Sequence, residues 1–240
     1  MDFREKIAAL KEQKRAVILA HYYTSAEVQQ VADFVGDSLA LSQKAAGVDA
    51  DIILFAGVRF MAETAKVLSP DKKVLLPVTE AGCSLADSCD AAELAKARRE
   101  NPDHLVVSYV NTSVEVKALT DICCTSSNAL DIIGALPKDQ KILFVPDRNL
   151  GSYINRCMER DMKLWNGCCL VHEEFSVEKI AALKALHPKA VVLVHPECKP
   201  EVVAMADYAG STAGILAYCG REDVEEVIVV TESGILYEME

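Results

Sequence analysis

No apolar run in this chain stays uncharged for the roughly 18 residues a membrane helix needs, although 51% of its 240 residues are hydrophobic. The first residues, Met1-Asp2-Phe3-Arg4-Glu5-Lys6, lack the apolar centre of a secretory signal. Basic residues are scarce: 25 Lys and Arg face 36 Asp and Glu, a net charge of −11. A phosphate backbone needs a basic face, so the balance argues against nucleic-acid partners, whereas a small anion held by local donors remains open. The nine cysteines contain no CxxC pair, which removes support for a zinc ribbon or a thioredoxin-type motif. Low-complexity segments and flexible linkers are missing too. These absences point to a soluble cytoplasmic protein with reduced thiols and no membrane partner.

What is present is repetition. Ala20-His21-Tyr22-Tyr23-Thr24-Ser25-Ala26-Glu27-Val28 returns as Ser108-Tyr109-Val110-Asn111-Thr112-Ser113-Val114-Glu115-Val116 and as Val194-His195-Pro196-Glu197-Cys198-Lys199-Pro200-Glu201-Val202. The spacing is 88 residues from His21 to Tyr109 and 86 from Tyr109 to His195. Asp33, Asp121 and Asp207 recur in register, as do Gly36-Asp37-Ser38, Cys124-Thr125-Ser126 and Gly210-Ser211-Thr212. A period of this length implies a threefold architecture.

Each copy opens on a short run suited to a parallel strand buried on both faces: Ala16–Leu19, Leu105–Val107 and Ala190–Val194. Thr24-x-x-Glu27 and Thr112-x-x-Glu115 read as capping boxes, with Cys198 at the weaker third cap. A second helix is expected near Ser38, Ser126 and Thr212. Further strands are expected at 51–55, 141–145 and 227–230, then at 73–76 and 162–165. Strand alternating with helix predicts three pseudo-threefold-related αβα sandwich domains with parallel sheets around a central active site. Their bounds are 1–85, 86–172 and 173–240, the third incomplete at its C-terminus.

Two cysteines fit the repeat. Cys83 and Cys169 fall 62 and 60 residues after the first strand end of their copies. The third equivalent would lie about 15 residues past Glu240. The other cysteines read best as small buried hydrophobes, with Cys168 the nearest rival to Cys169. One thiolate from each lobe favours zinc or an iron–sulfur cluster, and three ligands on a cubane leave one iron open as a Lewis acid.

The chain resembles the quinolinate synthases. The resemblance rests on Ala20-His21-Tyr22-Tyr23, Asp33-Phe34-Val35-Gly36-Asp37-Ser38, Ser108-Tyr109-Val110-Asn111 and Cys124-Thr125-Ser126-Ser127-Asn128. It extends through Gly167-Cys168-Cys169-Leu170-Val171-His172-Glu173, His195-Pro196-Glu197-Cys198 and Thr231-Glu232-Ser233-Gly234. It implies three αβα domains and a condensation of iminoaspartate with dihydroxyacetone phosphate to quinolinate, phosphate and water, within NAD biosynthesis. An iminoaspartate-producing enzyme is then a functional partner. It further implies a [4Fe-4S] cluster on three cysteines, of which Cys83 and Cys169 match two. The third family cysteine has no counterpart here, so an impaired site is expected, with Cys198 and Cys219 poor substitutes.

By the same resemblance Glu197 is the main general base and Tyr23 an acid or hydrogen-bond donor. His21 and His195 polarise carbonyl oxygens or carry protons. Ser38, Tyr109, Asn111, Ser126, Ser211 and Thr212 bind substrate as neutral donors, the last three read at helix N-termini. Simpler readings stand beside these: Ser126, Ser211 and Thr212 as helix caps, the recurrent aspartates as turn-fixing residues, and His172 and Glu173 as caps that otherwise orient the Cys169 loop. Lys163 and Arg221 read as solvated charge. Two other functions fit the same residues: a metal-independent aldolase or hydrolase working through Tyr, His and Glu, and a small-molecule binding module with structural cysteines.

Overall fold

The computed structural model describes residues 2–240. The chain divides into two compact units, residues 1–83 with 233–238 and residues 84–232. In the first unit, α1 (Phe3–Lys14), β1 (Ala16–His21), α2 (Ala26–Gln29) and β2 (Phe34–Gly36) precede α3 (Ser38–Gly47), β3 (Ile52–Ala56), α4 (Arg59–Leu68) and β4 (Lys73–Leu75). A 3-10 turn at Ser233–Glu238 completes it. Its sheet has the order β2-β1-β3-β4, with all strands parallel.

The second unit holds two sheets. Helices α5 (Ser84–Asp87) and α6 (Ala91–Glu100) lead into β5 (Leu105–Tyr109), α7 (Val114–Lys117), β6 (Ile122–Cys124), α8 (Ala129–Ala135), β7 (Ile142–Val145), α9 (Arg148–Met158) and β8 (Lys163–Leu164). Then come α10 (Leu170–Glu173), α11 (Val177–Leu186), β9 (Val191–Val194), α12 (Pro200–Val203), β10 (Tyr208–Ala209), α13 (Thr212–Cys219) and β11 (Val227–Val230). The sheet orders are β6-β5-β7-β8 and β10-β9-β11, again parallel. The α/β class and the three helix-flanked sheets expected from the repeat are therefore present.

Equivalent strands carry equivalent register: Leu19 faces Phe55, Val107 faces Phe144, and Leu193 faces Val229. Leu19, Val107 and Leu193 are all buried, each burial stabilising by about 1.5–3 kcal/mol. These continuous apolar runs can only be central strands, because a parallel strand is covered on both faces. In every sheet the chain leaves the central strand to one side and returns on the other. That reversal makes the carboxyl ends of β1, β5 and β9 the natural place for ligands.

The recurrent aspartates fix the turn that brings the chain back to the sheet. Asp33, Asp121 and Asp207 accept from the backbone N–H of Ile18, Val106 and Val192 at 2.7, 2.8 and 2.8 Å. Their own N–H groups donate to the carbonyls of the same three residues. Each carboxylate also meets a cation, Lys11, Arg98 or Lys184. Each aspartate introduces an edge strand, β2, β6 or β10, that the sequence pattern does not reveal.

Two capping expectations are corrected. The N-caps of α2 and α7 are Ser25 and Ser113, one residue after Thr24 and Thr112. Both threonines instead donate their hydroxyls to the carbonyls of His21 and Tyr109, at 2.9 and 3.2 Å, which delays the helix by one residue. The third cap is Lys199, with Pro200 opening α12. Nor does Ser126 begin a helix. The Asn128 carboxamide accepts from Thr125 N–H at 2.7 Å, closing a turn, and α8 starts at Ala129.

Candidate functional site

Three central strands end in the three copies of the repeat, so each unit presents its polar residues just beyond a buried strand. In the second unit the side chains after β5 and β9 meet. The Tyr109 hydroxyl donates to Glu197 Oε1 at 2.6 Å. His172 Nδ1 lies 3.2 Å from Glu197 Oε2 and 3.2 Å from Cys169 Sγ. Its Nε2 faces the Thr231 hydroxyl at 3.0 Å, and its ring stacks on that of His195 at 4.8 Å. His195 Nε2 reaches Ser126 Oγ at 3.4 Å. Tyr109, Ser126, Cys169, His195 and Glu197 are thus brought into one connected group.

Glu197 is 3% exposed. Burial alone would raise its pKa, but the charges of His172 and His195 and the donors His172 and Tyr109 outweigh that and hold the carboxyl well below the usual carboxylate range. Asp147 goes the other way. Burial and the neighbouring Glu197 charge push it well above its ordinary value, against N–H donors from Leu150, Asn149 and Cys169. Its Oδ2 is buried with no hydrogen-bond partner among the described residues, as a neutral carboxyl tolerates better than a charged one. Two carboxyls with affinities driven apart make an ionised group and a protonated one in the same interior.

The backbone supports these side chains. Asn149 donates to the Glu197 carbonyl and to Glu173 Oε1, both at 2.9 Å, and Arg148 adds a contact to Glu173 at 3.3 Å. His172 and Glu173 therefore orient the Cys169 loop, and the capping reading gives way. Gly167 is required before the two cysteines, because a Cβ there would overlap Ser88 Oγ and the Pro146 carbonyl. Asn111 keeps a buried carboxamide oxygen without a partner among the described residues. Ser211 is a cap after all, accepting from Gly214 N–H at 3.1 Å, and Thr212 is the first residue of α13.

In the first unit His21 ends β1, with the Tyr23 ring 4.5 Å away in a T-shaped contact. Tyr23 N–H donates to His21 Nδ1 at 3.2 Å, just as Glu197 N–H donates to His195 Nδ1 at 3.3 Å. In both copies Nδ1 is turned to the backbone of its own loop, which leaves Nε2 as the donor of the kind that polarises an oxygen. Ser38 opens α3, next to its cap Asp37. Cys83 closes the unit, half-buried, beyond a turn tied by Arg59 N–H to the Ala81 carbonyl.

None of the nine cysteines is in a disulfide among the described residues. Burial pushes Cys89 and Cys198 up to about 12, and Cys124 up as well, so these are inert. Cys83 and Cys169 are half-buried on loops, and Cys169 already points its sulfur at an imidazole. As thiols at accessible loop positions they fit a soft metal or cluster. Cys169, His172 and Glu197 also place one donor atom each within 4.8 Å of one another. The sequence pattern gave no role to Asp147, Asn149 or Thr231, and it ranked His172 as a cap. The i, i+3 spacing from Cys169 to His172 was the available signal. Lys163 and Arg221 are surface charges, bonded to Asn101 and Asp223.

The family model described as quinolinate synthetase A protein matches residues 5–240. Curated relatives agree along the whole chain. A quinolinate synthase of Synechocystis sp. is 55% identical over 239 residues, covering 100% of this chain and 75% of that protein. Those of Nostoc sp. and Thermosynechococcus vestitus are each 54% identical over 240 residues, covering 100% of this chain and 74% and 75% of theirs.

Proposed function

This chain belongs to the quinolinate synthetase A family, and from that premise we propose that it joins iminoaspartate to dihydroxyacetone phosphate. The products are quinolinate, phosphate and two waters, which balances the atoms of the two substrates. The observation that carries the reading is the connected run Tyr109–Glu197–His172–Cys169, which links a phenol, a base, an imidazole and a thiol by contacts of 2.6, 3.2 and 3.2 Å.

Condensation, enolisation and dehydration all move protons between carbon and oxygen, so groups that accept and return protons must converge. Glu197, ionised at neutral pH, takes a proton from substrate carbon. Its low proton affinity favours returning that proton to a substrate oxygen, while His172, held by Thr231 and Cys169, keeps the carboxylate in place. Tyr109 then steadies the carboxylate. The Nε2–H groups of His21 and His195 donate to carbonyl or hydroxyl oxygens, and Tyr23 supplies a further acidic hydroxyl. Ser38, Asn111, Ser126, Ser211 and Thr212 contribute neutral contacts to carboxylate and phosphate oxygens. Cys83 and Cys169 would hold the cluster; when bound, a [4Fe-4S] group offers an open iron as a Lewis acid for substrate oxygen.

Iminoaspartate is short-lived in water, so an enzyme that oxidises aspartate is the partner this reaction requires. Nine reduced thiols suit a reducing compartment, and no helix among the described residues is long and apolar enough to cross a membrane. We assign the protein to the cytoplasm and expect neither nucleic acid nor membrane as a partner.

The test is quinolinate formation by anaerobically purified protein reconstituted with iron and sulfide. Glu197→Gln should lower the rate by roughly a hundredfold or more, the scale of losing a general base, with the cluster absorbance intact. Turnover of another carbonyl substrate by chelated, colourless protein would favour the metal-independent reading instead.

A further inference from the structure

The short helices that follow the repeats end at equivalent positions: Gln29 closes α2, Lys117 closes α7 and Val203 closes α12. The spacing from Gln29 to Lys117 is again 88 residues. The first two of these side chains do the same thing. Gln29 Nε2 turns back under the β1 loop and donates to the carbonyls of Tyr22 at 3.0 Å and Thr24 at 2.8 Å, with Gly234 O at 3.3 Å. Lys117 Nζ turns back under the β5 loop and donates to the Val110 carbonyl at 2.8 Å and to the Thr112 carbonyl. Measured from the strand end, these are the same two carbonyls, the ones on either side of Tyr23 and of Asn111.

The two donors differ in chemistry. One is a neutral carboxamide and the other an ammonium, so the shared property is donation and not charge. Three carbonyls around the Gln29 amide leave only one sensible orientation, with NH2 towards them, and its Oε1 is then buried without a partner among the described residues. A buried, unpartnered acceptor costs stability. The residue is tolerated for what its donors hold. The third copy has the aliphatic Val203 at this position, and there the loop carbonyl of Glu197 is taken by Asn149 from α9. Each of the three strand-end loops is therefore pinned by a side-chain donor.

We propose that Gln29 and Lys117 are positioning residues for the proposed reaction, setting the strand-end loops that carry His21 and Tyr23 and Tyr109 and Asn111. The inference rests on the reading above for its rate consequences only. Their donors go to backbone carbonyls of the loops. Through Tyr109 the Lys117 brace reaches Glu197, since the phenol that steadies the carboxylate ends β5, where the braced loop begins. A loop free to shift by about 1 Å costs on the order of a hundredfold in rate when reacting groups must stay aligned.

The experiment pairs a variant that removes the donors with one that restores them. Lys117→Met keeps length and loses donation; Lys117→Gln installs the donor that the first copy uses. With cluster-loaded enzyme, Lys117→Met is expected to lower kcat by roughly ten- to a hundredfold, and Lys117→Gln to stay within about threefold of wild type. Hydrogen exchange read by mass spectrometry should quicken in Lys117→Met over residues 110–113 and return to the wild-type rate in Lys117→Gln, while β5 and β7 stay unchanged. Equal loss of rate in both variants would mean that the charge matters and would overturn the proposal, as would uniform loosening of the whole unit. Should Lys117→Met fail to fold, Gln29→Leu against Gln29→Lys asks the same question of residues 22–25, with the same outcomes decisive. If wild-type protein makes no quinolinate, the reaction reading fails and the exchange data with the restoring variant still decide the bracing.

Discussion

At the scale of single residues, the environment of each cysteine separates its chemistry from its neighbours'. Cys89, Cys124 and Cys198 are buried thiols with raised pKa, whereas Cys157 is exposed. Iodoacetamide at pH 8 should therefore label Cys157 in the native protein and leave those three untouched until denaturant is added, as peptide mapping can check. Labelling of Cys124 without denaturant would contradict the burial. Cys83→Ser and Cys169→Ser should each abolish cluster assembly, read as iron and sulfide per chain, while leaving soluble protein; a full complement in either would count against ligation. Sequence spacing marked these two thiols because a repeat transmits position, and ligation is what these variants test. It failed for Asp147 and Asn149, whose roles depend on being buried beside Glu197 from a different element. His172 stood in plain sight, but a histidine in a four-residue helix reads as a cap until its two partners are known.

At the scale of elements, the recurrent aspartate is the device most worth testing. Asp121 accepts from Val106 N–H, donates its own N–H to the Val106 carbonyl, and pairs with Arg98 at 2.5 Å. Asp121→Ala leaves the buried Val106 N–H unmet and should cost about 1–3 kcal/mol. Arg98→Ala should cost less, about 1 kcal/mol at most, because that pair is partly solvated. Urea midpoints at unchanged slope would measure both, and equal losses would mean that the ion pair outweighs the backbone bond. The sequence marked these aspartates as turn-fixing but not what the turn serves. The strands they introduce run two or three residues, too short for any alternating or continuous apolar pattern to register. The longer central strands were legible to within two residues, since a run buried on both faces leaves little choice. Caps slipped by one because Thr24 and Thr112 found a nearer acceptor in the carbonyl of the preceding strand end.

At the scale of the whole molecule, the repeat made three parallel sheets legible, and nothing in composition alone would have done so. Composition instead bears on how an acidic protein meets an acidic substrate. With a net charge of −11, the far field repels a phosphate ester carrying two negative charges. The local donors, hydroxyls and Nε2–H groups at the strand ends, act over about 3 Å, far inside any screening length. Salt therefore weakens the repulsion much more than the attraction. The Debye length shrinks from about 20 Å to about 7 Å as ionic strength rises from roughly 0.02 M to 0.2 M, so approach becomes easier while the bound contacts persist. The value of kcat/KM for dihydroxyacetone phosphate should rise by about two- to fivefold over that range, with kcat nearly constant because chemistry follows binding. A fall in kcat/KM would reveal a local positive field strong enough to steer the phosphate against the net charge. Arg148 and Lys117 would then be the first cations to neutralise, since each already lies beside residues of the proposed site.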